Sequence, residues 1–152
     1  MRLTTMTDYA LRLLMYVAQQ PDRLCTISEV ATAYNISEAH LMKITHQLGL
    51  AGYIETVRGK GGGIRLARPP REIVVGSVIR QSESDFALAE CFAANATCRI
   101  QGACCLPAIL NEALNAMFLV LDGYTLADLL QRPRGLVPAA ACARRGRRCR
   151  RR

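Results

Sequence analysis

Cys91, Cys98 and Cys104 fall as C-x6-C-x5-C within the stretch AECFAANATCRIQGACCL. Three thiols so placed point to a metal or cluster site, or to reactive free thiols. Both gaps exceed the C-x2–4-C pairs of structural zinc sites. They also miss the cysteine runs of bacterial and plant-type ferredoxins. Such a segment can still wrap a polynuclear iron–sulfur cluster, whose iron atoms lie at separate corners. The small residues Ala93, Ala94, Ala96, Gly102 and Ala103 would let it fold closely. Cys105 follows Cys104 directly, and adjacent side chains point apart, so it reads as a spare. Cys25 is distant and reads as a buried small hydrophobe. Carboxylates are the candidates for a fourth ligand: Asp8, Glu83, Asp85 and Glu90. A hard oxygen ligand leaves one iron corner easily displaced, which suits a sensor better than an electron carrier.

A second constellation consists of Ser37, Glu38, His40, Lys43 and Gln47, with Arg58, Lys60 and Arg65 further on. The first five share the exposed face of a predicted helix, Glu38–Ala51, turned away from the apolar stripe Leu41, Ile44, Leu48 and Ala51. That is the layout of a recognition helix entering a major groove. The three later cations surround the run Gly59-Lys60-Gly61-Gly62-Gly63, where glycine lets the backbone turn tightly and approach phosphates. Arg58 or Lys60 could enter a narrow minor groove. The only histidines, His40 and His46, sit on this helix, so a histidine ligand would put metal on the DNA-reading surface.

The elements that position these groups are readable from period and punctuation. Residues 5–19 form a mostly buried helix stopped by Pro21. A short helix runs from about Ser28, with Ser28 as N-cap, to Tyr34. Asn35-Ile36 makes a tight connection and Ser37 caps the recognition helix. Gly52 takes the left-handed position after that helix. Tyr53–Arg58 and Ile64–Ala67 read as a hairpin, and Pro69-Pro70 closes the module. A helix over Glu72–Gln81 turns Ile73, Val74, Val78 and Ile79 inward. Pro107–Leu121 is a strongly apolar helix whose polar face holds Asn111, Glu112, Asn115 and Asp122; a partner subunit is the natural cover. Thr125 and Asp128 form an acidic variant of the capping box before a last short helix to Leu130. The expected architecture is mainly α with a small β-hairpin wing: a winged helix-turn-helix plus a long dimerisation helix. Residues 1–70 form the DNA-binding domain, 71–131 the cluster loop and dimerisation helix, and 132–152 a low-complexity tail that reads as disordered.

The 152 residues carry a net charge of +8, unevenly distributed. Residues 132–152 hold nine arginines and no acid; residues 1–71 hold nine basic and five acidic groups, and 72–131 two and seven. The informative balance is therefore a basic DNA module beside an acidic sensor region, not the total. The seven cysteines are an odd number, which argues against a closed set of disulfides. Asp8 and Arg12 interrupt the opening apolar stretch and no small-residue cleavage site follows. The expected location is cytoplasmic, where thiols stay reduced, and no run is long enough to span a membrane. No catalytic Ser/His/Asp set or phosphate-binding loop can be assembled, so the chain does not read as an enzyme. An electron-transfer protein is disfavoured by the helix-turn-helix and its glycine wing.

Residues 1–131 resemble the Rrf-two (Rrf2) family of winged-helix regulators. The resemblance rests on LTTMTDYALRLLMYVA, ISEVATAYNISEAHLMKITHQLGLAGYI, ETVRGKGGGIRLA and CRIQGACCLPAILNEALNAMFLVLDGYTLADLL. It is strongest to the family's nitric-oxide-sensing repressors. That resemblance implies a homodimer binding a palindromic double-stranded DNA operator, with a 4Fe–4S cluster on Cys91, Cys98 and Cys104. A 2Fe–2S form is an alternative or breakdown product. It further implies Asp8 as a ligand reaching across the dimer, Arg58 as the wing arginine, and control of nitric-oxide detoxification genes. The iron–sulfur-biogenesis regulators of the family carry a histidine ligand three positions after the last cysteine, where this chain has Pro107. The runner-up reading senses cluster supply or redox state. The arginine tail has no counterpart in the family pattern.

Overall fold

The computed structural model describes residues 2–92, 97–100 and 103–130. The arginine tail, with Cys142 and Cys149, lies outside the described residues. The first helix, α1 (Thr5–Ala18), is capped by Thr4, whose hydroxyl accepts the Thr7 N–H at 3.4 Å. Ala10, Leu13, Leu14 and Val17 recur at helical spacing and form its buried stripe.

The second helix, α2 (Ile27–Tyr34), starts one residue earlier than Ser28, and its cap is Thr26. The reason is a reciprocal capping box: Thr26 Oγ1 accepts the Glu29 N–H at 3.2 Å, and Glu29 Oε2 accepts the Thr26 N–H at 2.9 Å. Arg23 pairs with the same carboxylate at 2.9 Å. Partial burial opposes ionisation of Glu29, but the Thr26 N–H and the Arg23 guanidinium outweigh it and hold the carboxyl below its usual range. Asn35 takes φ 54° to turn the chain, and α3 (Glu38–Leu50) follows with Ser37 as its cap.

Gly52 takes φ 72° behind α3. The hairpin strands are β1 (Ile54–Val57) and β2 (Gly63–Leu66), antiparallel, pairing Ile54 with Leu66 and Val57 with Gly63. β1 is two residues shorter than the expected Tyr53–Arg58, whereas β2 has the expected four residues and is shifted by one to take in Gly63. Cys25 adds a bridge to Ile64 through two backbone hydrogen bonds of 3.0 and 2.8 Å.

A 3-10 turn, Pro70–Glu72, leads to α4 (Val75–Ser82), which begins three residues later than the sequence suggested. Ile73 and Val74 are extended because their backbone is used elsewhere. Ile73 O accepts the Leu126 N–H at 2.8 Å, and Val74 pairs with Thr125. A 3-10 turn over Glu90–Phe92 precedes α5 (Leu106–Asp122) and α6 (Leu126–Leu130). Asp128 accepts from both the backbone N–H and the hydroxyl of Thr125 at 2.7 Å, which holds its carboxyl below the usual range.

One core joins Leu13, Leu14, Leu41, Ile44 and Ile64 to Ile73, Val78 and Leu126. A smaller cluster of Val75, Ile79 and Phe118 fixes α4 to α5. Phe118 is the one buried residue of α5. Leu106, Ile109, Leu119 and Val120 all stand exposed, Leu119 at 77%.

Candidate nucleic-acid interface and cysteine segment

The α3 surface is built by rotation around one helix. Leu41, Ile44, Thr45 and Leu48 are buried, while Ser37, Glu38, His40, Lys43 and Gln47 are exposed. Ser37 has two tasks. Its hydroxyl caps the helix by accepting the His40 N–H at 3.4 Å, and it lies 2.9 Å from His40 Nδ1. The cap thereby also orients the imidazole, whose ring centroid lies 6.4 Å from that of Tyr9 on α1. Ala39, Met42 and His46 share the exposed face. Ala39 and Met42 carry neither charge nor polarity to mark them in the sequence. Stepping about 100° per residue away from the buried stripe would have found them.

Arg58 and Lys60 stand exposed at the hairpin tip and make no ion pair among the described residues. Gly59 and Gly61 have φ of 103° and 81°, and a Cβ at Gly62 would overlap backbone carbonyl oxygens. Arg65 is arranged differently. It faces Glu55 across the hairpin and bonds its carboxylate at 2.9 Å, which lowers the Glu55 pKa and raises its own. Its charge is engaged within the wing.

Among the described residues the cysteine donors are not gathered into one site. Cys91 lies in the 3-10 turn and lines an open cleft of about 400 Å³ with Phe92, Pro107, Ala108 and Asn111. Cys98 and Cys104 are half-buried, Cys105 is exposed, and all are free thiols. Burial of Cys25 pushes its thiol up in pKa, as befits an inert core residue. Among the described residues no three His, Cys, Asp or Glu side chains converge into a metal site. Glu90 is occupied by Thr97, whose hydroxyl and N–H donate to it at 2.7 and 3.3 Å and lower its pKa. Asp8 is held by Arg12 on the next turn of α1, at 2.8 and 3.0 Å. The donor chemistry nonetheless fits cluster iron: soft thiols, partly exposed and free of disulfides, with open space beside Cys91.

The family model for Rrf2, described as an iron-dependent transcriptional regulator, matches residues 3–132. The chain belongs to the Rrf2 family. It is 52% identical over 132 residues to the HTH-type transcriptional regulator NsrR of Halalkalibacterium halodurans, covering 86% of this chain and 90% of that protein. To NsrR of Bacillus subtilis it is 50% identical over 133 residues, covering 86% and 91%. Among solved structures, IscR of T. potens superposes with a TM-score of 0.70 at 26% identity, covering 89% of this chain and 94% of that one. The winged-helix fold is that of the family, and the chain is a DNA-binding transcriptional regulator rather than an enzyme. No described helix is long and apolar enough to cross a membrane.

Proposed function

We propose that this regulator is a cytoplasmic, homodimeric repressor that senses nitric oxide through an iron–sulfur cluster and controls nitric-oxide detoxification genes. The observation that carries the reading is half-identity, along nearly the whole of the matched chains, to proteins named NsrR. The three free, partly exposed thiols support it. Cys91, Cys98 and Cys104 would hold a 4Fe–4S cluster, with an Asp8 carboxylate contributed across the dimer; a 2Fe–2S form is the alternative. When bound, such a cluster supplies iron with one easily displaced oxygen ligand, a reactive position for nitric oxide.

The remaining work falls to the chain's own residues. The exposed apolar residues of α5 pair two subunits. Ser37, Glu38, His40, Lys43 and Gln47 then meet two major-groove half-sites about 34 Å apart on a palindromic operator, while Arg58 and Lys60 reach the flanking backbone or minor groove and Arg65 joins them by exchanging Glu55 for a phosphate. The three thiols tie the segment after α4 to the start of α5. Freed thiols loosen that segment, and the two α3 helices lose their spacing.

Purification without oxygen, followed by visible spectroscopy and iron and sulfide analysis, tests the cofactor. A coloured protein that turns colourless in Cys91→Ser, Cys98→Ser and Cys104→Ser is expected. A colourless wild type with bound zinc would overturn the reading. The fold shared with IscR favours a second reading, a sensor of cluster supply or redox state. DNA affinity that follows cluster content but ignores nitric oxide would select it.

A further inference from the structure

The solvent face of α3 is not wholly polar. Met42 is 55% exposed and belongs to neither apolar cluster. Ala39, three residues before it, is also exposed. Residues at that spacing lie roughly 60° apart around a helix and about 4.5 Å apart along it. Their side chains therefore form one small apolar strip. Lys43 and His46 border it on the same solvent face, and His40, oriented by Ser37, lies beyond Lys43 around the helix.

A recognition helix contacts base edges mainly with its N-terminal residues, and this strip lies in the N-terminal half of α3. In the major groove the one apolar feature a base pair offers is the C5-methyl of thymine. Methionine, unbranched and polarisable, can follow that methyl without demanding a fixed rotamer. We propose that Met42, with Ala39 beside it, is a specificity-determining residue that reads thymine methyl groups in each half-site. The inference rests on α3 being the DNA-reading helix and adds which base feature it selects. Charged Lys43 supplies phosphate or guanine contacts; Met42 supplies discrimination between thymine and every base lacking the methyl.

The test uses the full chain, purified without oxygen and with its visible spectrum recorded, together with DNA and no other protein. Duplexes enriched by the protein from a randomised library give its preferred site. Each thymine of that site is then replaced by deoxyuridine, which deletes the methyl and keeps the pairing. At one or more thymines per half-site the wild type should lose about fourfold in affinity, the worth of one buried methyl. Met42→Ala should bind more weakly and become indifferent to the same replacement, while Met42→Leu should retain the sensitivity. Because Met42 is outside the core, thermal unfolding of both variants should match the wild type. A preferred site with no methyl-sensitive thymine would overturn the proposal, as would equal sensitivity in Met42→Ala, which would leave Met42 to a contact with another protein. If the wild type enriches no sequence at all, the DNA-reading assignment of α3 falls, and this inference with it.

Discussion

In the single chain both carboxylate oxygens of Asp8 are paired with the Arg12 guanidinium, so iron ligation would have to share or displace that pairing. As half-exposed partners on one helix face, the two contribute less than about 1 kcal/mol to folding. Asp8→Ala should therefore leave thermal unfolding nearly unchanged while altering the visible spectrum or lifetime of the cluster. An unaltered spectrum would move the oxygen ligand elsewhere. The three cysteines stood out in the sequence because thiol type and spacing are local properties. Their assembly was not legible, because spacing along the chain does not fix where side chains converge, and among the described residues they do not. The Arg65–Glu55 pair was missed for a similar reason: a hairpin register, not the sequence spacing, brings the two together.

At the scale of elements, α4 and α5 are locked by a set of contacts no periodicity reveals. Asp122 receives two guanidinium bonds from Arg80, at 2.7 and 2.6 Å, from a residue 42 positions away. Arg80 also lies over the Phe118 ring at 4.1 Å, and Phe118 meets Phe86 edge-on at 4.8 Å between centroids. Phe86 belongs to the segment leading to Cys91, so this contact links the cysteine segment to the helix pair. Gly76 completes the lock, since a Cβ there would overlap the Asp122 carboxylate. Gly76→Ala should lower the melting temperature by disrupting the pair, and Phe118→Ala should cost about 3 kcal/mol in denaturant unfolding. The Arg80 hydrogen bonds hold the Asp122 carboxyl below its ordinary pKa. A depressed carboxyl contributes stability above its unfolded pKa and loses it as pH falls through the folded value. Stability should therefore decline below about pH 4, the ordinary carboxylate range, and Asp122→Asn should flatten part of that decline. The winged module itself was largely legible: α1, α3, the glycine turn and the hairpin follow local period and caps. The start of α4 was not, because Ile73 and Val74 are claimed by pairing with the chain around Thr125 and Leu126.

For the whole molecule, two surfaces matter. The exposed Ile109, Leu119 and Val120 of α5 make a monomer an uncomfortable state in water. Sedimentation should find a dimer, and Leu119→Glu or Val120→Glu should shift it toward monomer and weaken operator binding. The nine tail arginines should, if they meet DNA, add attraction to phosphates that is salt-dependent and blind to sequence. Deleting residues 132–152 should lower affinity for random DNA more than preference for the operator. In the proposed function, cluster chemistry at Cys91, Cys98 and Cys104 governs how two α3 helices meet DNA. The most direct test titrates nitric oxide into anaerobically purified protein while following its visible spectrum and its affinity for the preferred site together. Both should change over the same few equivalents, with operator affinity falling at least tenfold (about 1.4 kcal/mol). A spectrum that changes while operator affinity stays constant would contradict the proposed function.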